Sequence, residues 1–125
     1  MPLKLLLDEN VSPVVAEGVR RKRPEMFIES VLHWRGGEFL SQPDDALLAA
    51  AHAEGWTLVT YDTQILSEVY FWFAEARPFS GLIFIDDKTI GSHEFGALVG
   101  SLLAFWDAHG EESWDGRLVY LSRAL

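Results

Sequence analysis

The chain has no cysteine. Disulfides, thiolate zinc sites and cysteine nucleophiles are therefore excluded, and the absence fits a reducing cytosol. No stretch approaches the ~20 apolar residues of a membrane span. The opening MPLKLLLDEN does not read as a signal peptide, because its apolar run is short and is interrupted by charge at Asp8. A soluble, cytoplasmic protein without a membrane partner is expected. Basic residues are scarce: 10 Lys and Arg stand against 19 Asp and Glu, for a net charge of −9. A generic nucleic-acid binder is basic, because its phosphate contacts release counterions. Nucleic-acid binding by this chain would have to be local, through the run Arg20-Arg21-Lys22-Arg23, or shared with a partner protein. Internal repeats, low-complexity tracts and linkers are also missing, so residues 1–125 read as a single domain.

What is present is core-forming material: hydrophobic residues make up 49% and aromatics 13%, enough to exclude disorder. Residues 3–7 are almost wholly aliphatic, which suits a central parallel strand. Ser12-Pro13 reads as a helix cap followed by proline in the first turn. That helix buries Val14, Val15, Ala16 and Val19, and ends in the basic run before Pro24. Phe27 to Leu32 predicts a second strand, and Gly36-Gly37 a loop. Ser41-Gln42-Pro43-Asp44-Asp45 reads as a helix start with acids in the first turn. Leu47, Leu48, Ala50 and Ala51 face inward, and Gly55 ends the helix. Trp56–Tyr61 is a third strand. Ile65–Ala76 is a helix with Leu66, Val69, Tyr70 and Phe73 on its inner side. Leu82–Ile85 is a fourth strand, residues 92–109 a helix, and Leu118–Leu121 a last strand. This alternation predicts an α/β fold: a three-layer α/β/α sandwich around a mostly parallel sheet.

Two of the strands stop at a carboxylate, at Asp8 and at Asp62, and Asp44 opens the helix between them. Ligands of open α/β sheets bind just past the carboxyl ends of the strands. Carboxylates gathered there repel one another unless a cation joins them. The set therefore reads as a divalent-metal site, with Asp8 and Asp62 side by side if the first and third strands are neighbours. Ordinary turn chemistry, with each Asp capping the next helix, is the competing reading. Adjacent residues on a helix point about 100° apart, so only one of Asp44 and Asp45 can face the site. The offset to Leu47-Leu48 favours Asp44.

The combination of KLLLDENVSP, PDDALLAAAHAEGWTLVTYD and GLIFID resembles the PIN-like nuclease superfamily over roughly residues 3–86. The nearest likeness is to its small VapC-related branch with a DENLSP-type start. The resemblance implies a PIN-like sandwich, and a ribonuclease that depends on Mg²⁺ or Mn²⁺ and often serves as the toxin of a toxin–antitoxin pair. It implies Asp8, Asp44 and Asp62 as metal ligands and catalytic residues, with RNA as substrate and an antitoxin as partner. Thr60 matches the threonine of the family's T.D motif. A further family acid falls on Gln64, which cannot supply a carboxylate.

Supporting roles are expected around this set. Asn10 orients a water or phosphate, or caps the first helix. Asp86 replaces the acid missing at Gln64, or forms a polar turn before Lys88. Trp34 and Arg35 offer a stacking ring and a cation to a single-stranded nucleic acid, or simply pack on each other. Phe71-Trp72-Phe73 spans most of a helix circumference and suggests a homodimer face or an antitoxin groove. Two other functions remain open: a degenerate PIN-like binding module, and a receiver-type phosphoacceptor domain with Asp62 as acceptor. The receiver would need a lysine after its fifth strand.

Overall fold

The computed structural model describes residues 2–124. Five strands and four main helices alternate: β1 (Lys4–Leu7), α1 (Pro13–Lys22), β2 (Phe27–Ser30), α2 (Asp44–Glu54), β3 (Thr57–Thr60), α3 (Thr63–Ala74), β4 (Leu82–Phe84), α4 (Phe95–His109) and β5 (Leu118–Tyr120). A 3-10 turn at Trp34–Gly37 sits between β2 and α2. The strands form one sheet in the order β2-β1-β3-β4-β5, and every pairing is parallel. The architecture is the expected α/β sandwich, with the sheet parallel throughout.

The aliphatic strands explain the two cores. Leu5 and Leu7 point to one face, where they meet Val15, Ala16 and Val19 of α1 and Leu98 and Leu102 of α4. Leu6 and Leu58 point to the other, against Leu47, Leu48 and Ala51 of α2 and Ile65, Val69 and Trp72 of α3. Strand residues alternate between faces, so consecutive leucines in β1 serve both cores.

The local signals mostly work as read. Ser12 caps α1, accepting from the Val14 N–H at 3.3 Å, with Pro13 in its first turn. Gly55 ends α2 in the left-handed region at φ 74°. Three readings need correction. Val14 is 45% exposed, because α1 turns Val15, Ala16 and Val19 inward. Ser41 does not cap α2; the N-cap is Pro43, and no side chain bonds there. On α3 the buried stripe is Ile65, Val69 and Trp72, leaving Tyr70 and Phe73 at 55% and 48% exposure. That helix starts at Thr63, and a 65/69/72 spacing keeps one face on the sheet. Phe71, at 65% exposure, is the most open of its aromatics.

Gly81 holds the approach to β4 at φ +92°, where an added Cβ would lie 2.6 Å from the Trp114 carbonyl oxygen and 3.2 Å from Thr57 Cγ2. Gly81→Ala is expected to destabilise the fold by about 2–4 kcal/mol, read as a lower midpoint of denaturant unfolding with an unchanged slope.

Candidate active site

The order β2-β1-β3 reverses the chain's direction of travel across the sheet between β1 and β3. That switch point opens a crevice at the strands' carboxyl ends. Asp8 directly follows β1, and its N–H bonds to the Val59 carbonyl of β3 at 2.9 Å. Its side chain is buried, at 5% exposure. One carboxylate oxygen accepts from the Thr60 hydroxyl at 2.7 Å and the other from the Glu9 N–H at 2.8 Å. Thr60, wholly buried at the end of β3, also accepts from the Asp62 N–H at 2.9 Å and from Asn10 Nδ2 at 3.4 Å. One hydroxyl thus ties together the loops that carry Asp8 and Asp62.

Asp62 is the N-cap of α3, accepting from the Gln64 N–H at 2.8 Å through Oδ1. The turn reading therefore holds for that oxygen. Asp44 is the first residue of α2 and half-buried, whereas Asp45 is exposed, as the offset to Leu47-Leu48 predicts. Burial pushes the Asp44 carboxyl above its ordinary range, and the negative charges of Asp62, Asp8, Glu68 and Asp45 push it further. Burial also raises Asp8; the Thr60 and Glu9 hydrogen bonds oppose the rise, and the charges of Glu9 and Asp62 add to it. All three acids lie toward the carboxyl ends of the strands, where Asp44 and Asp8 both feel the charge of Asp62.

Glu68 is a further acid near this corner that the sequence reading did not weigh. It lies one helical turn after Gln64, so it shares that residue's side of α3, and its charge acts on Asp44. Its Oε1 accepts from Trp72 Nε1 at 3.3 Å. The i+4 spacing from Gln64 was the available signal. Asp86 does not fill the same role: its side chain accepts from the Lys88 N–H at 2.9 Å, and its carbonyl accepts from Thr89 and Ile90. It forms the polar turn. Asn10 does not cap α1, since Ser12 does. It reaches across to β3 instead, also accepting from the Tyr61 N–H at 3.2 Å.

Trp34 and Arg35 do not stand at the crevice rim. Trp34 is buried, stacked on Phe39 with ring centroids 5.2 Å apart. Arg35 pairs with Glu38 and with Glu54. Glu54 closes α2, about 15 Å along that helix from Asp44 at 1.5 Å per residue. The basic run is equally remote. It ends α1, a helix that starts beside the crevice at Ser12 and leads away from it. Within the run, Arg20 bonds the Ile28 carbonyl and Arg23 pairs with Asp107.

Among the described residues, no three acidic or histidine side chains form a ready-made cation cage. The donors are nonetheless all hard carboxylate oxygens, the type that Mg²⁺ and Mn²⁺ take, and Mg²⁺ usually binds one or two carboxylates and keeps several waters. One deep carboxylate with others farther out, in mutual repulsion, fits such a partly hydrated ion.

The chain matches the family described as PIN like domain over residues 3–70, more than half of its length. It belongs to that PIN-like family. No curated protein and no solved structure matches it. The matched span runs from β1 into α3 and so contains Asp8, Asp44, Thr60, Asp62 and Glu68.

Two substitutions should move stability in opposite directions. Thr60→Val leaves the buried Asp8 oxygen and the Asp62 N–H without their partner, and is expected to cost about 1–3 kcal/mol. Asp44→Asn removes one of several like charges and is expected to raise the melting temperature of metal-free protein by about 2 °C. Thermal unfolding in the presence of a chelator checks both.

Proposed function

We propose that this protein is a metal-dependent ribonuclease that hydrolyses phosphodiester bonds at the β1/β3 crevice. The observation that carries the reading is the buried Asp8–Thr60–Asp62 linkage at the switch point, with Asp44 and Glu68 acting on the same corner. Asp8, Asp62 and Asp44 would hold Mg²⁺ or Mn²⁺, with Glu68 contributing from α3. A divalent ion there supplies charge neutralisation for the phosphate and lowers the pKa of an attacking water.

The protein's own groups have narrower tasks. Thr60 fixes the direction of the Asp8 carboxylate. Asn10 locks the loop after β1 to Tyr61. Glu68 adds negative charge where Gln64 cannot. The basic run and Arg35 both lie away from the crevice, so neither ion-pairs RNA there. Its retention should depend on the divalent ion.

The placement in a VapC-related branch, as the toxin of a toxin–antitoxin pair, is the narrower form of the same reading. Growth arrest on induced expression, relieved by Asp8→Asn, tests it.

Incubation of mixed single-stranded RNAs with the purified chain and Mn²⁺ or Mg²⁺ tests the activity itself. Cleavage is expected with metal and none with chelator. Asp8→Asn and Asp62→Asn should abolish it with the far-ultraviolet circular dichroism unchanged, and Glu68→Gln should lower it about ten- to a hundredfold. Undiminished cleavage in both aspartate variants refutes the assignment. Metal binding without cleavage of RNA or DNA would favour a binding module.

A further inference from the structure

Trp72 is buried in the core on the α2–α3 side of the sheet, at 2% exposure. A buried indole N–H needs an acceptor. Trp114, also buried, uses a neutral one: its Nε1 donates to the His109 carbonyl at 3.4 Å. Trp72 donates instead to a carboxylate, Glu68 Oε1, at 3.3 Å. The two residues are one turn apart on α3, and Glu68 is half-buried. Among the described residues, the second carboxylate oxygen of Glu68 has no hydrogen-bond or ion-pair partner.

The indole is held in place from two sides. One side is the core. On the other, the chain folds back after α3: the Ala76 N–H bonds the Phe73 carbonyl at 3.1 Å and the Arg77 N–H bonds the Trp72 carbonyl at 2.8 Å. Ala76 sits at φ 55° to allow this, in the left-handed region where a helix end usually places glycine. The turn lays Arg77 over the ring, with its guanidinium carbon 3.8 Å from the centroid, a close cation–π contact. A ring clamped in this way points Nε1 in one direction. A free glutamate spreads over many rotamers; one bonded to that Nε1 does not. Glu68 also lies on the side of α3 that carries Gln64, two residues after the N-cap Asp62, and its charge reaches Asp44.

We propose that Trp72 is a positioning residue for the divalent ion: its indole N–H fixes one oxygen of Glu68, so that the other is offered to an ion held by Asp8 and Asp62. The role rests on the metal site proposed above. It also explains how a carboxylate one turn beyond Gln64 can serve the crevice. Glutamate is longer than aspartate and starts farther along α3, so its reach is useful only when its direction is set.

Titration calorimetry of the full chain with Mn²⁺, in the absence of RNA, tests this. Trp72→Phe keeps an aromatic ring and loses the donor; it is expected to weaken Mn²⁺ binding about tenfold. Glu68→Gln still offers Nε1 a carbonyl acceptor and is expected to weaken binding by at least as much. The double variant is expected to bind as Glu68→Gln alone does, because Trp72 acts only through Glu68. In the wild-type chain, Mg²⁺ is expected to shift the nuclear magnetic resonance signal of the Trp72 indole N–H along the saturation curve of binding, a readout that needs no variant to fold. Wild-type Mn²⁺ affinity in folded Trp72→Phe overturns the proposal. So does an undiminished further loss when Trp72→Phe is added to Glu68→Gln, or an indole signal unmoved at Mg²⁺ saturation. Asp8→Asn separates the two readings. Undiminished Mn²⁺ binding in that variant removes the metal site and this role with it; binding lost there but intact in Trp72→Phe removes the role of Trp72 alone.

Discussion

The Thr60 hydroxyl is the interaction on which the crevice depends. A hydroxyl has one donor and two acceptor lone pairs, and all three are committed: to Asp8, to the Asp62 N–H and to Asn10 Nδ2. A buried carboxylate is costly unless hydrogen-bonded, and Asp8 keeps its place because Thr60 and the Glu9 N–H share that cost. Threonine also suits the position for a second reason. Its β-branched side chain is stiff at χ1, so the end of β3 presents the hydroxyl in one direction. The arrangement exists only because β1 and β3 are neighbours, with Leu7 opposite Val59. Sheet order, strand register and the crevice are thus one constraint seen at three scales.

Part of this was legible in the sequence, and the boundary follows interaction range. The strands could be read because aliphatic runs such as Leu5-Leu6-Leu7 are fully buried on both faces. Helix starts and ends could be read where one residue decides them, as at Ser12 and Gly55. The position of Asp8 and Asp62 at the carboxyl ends of neighbouring strands followed from the rule for switch points. What escaped depended on contacts between distant segments. Trp34 and Arg35 were read either as a nucleic-acid platform or as packed on each other; the second holds, with the guanidinium 5.4 Å from the ring centroid, and the further partners Phe39 and Trp56 are fixed by the chain's path over α2. Glu68 escaped because its influence on Asp44 crosses from α3 to α2. The inner face of α3 was misjudged because hydrophobicity favoured Tyr70 and Phe73, whereas orientation to the sheet favoured Ile65 and Trp72.

The charge layout gives the molecule a direction. Asp8, Asp44 and Asp62 lie toward the carboxyl ends of the strands, and the basic run of α1 and the Arg35–Glu54 pair toward the opposite ends. A polyanion approaching the crevice meets repulsion from those carboxylates, and neither the basic run nor Arg35 stands there to offset it. A divalent ion reverses that sign locally, so an ion-loaded crevice would attract phosphate where an ion-free one repels it. On this reading one ion serves as both binding and catalytic group, which is consistent with a nuclease whose net charge is −9.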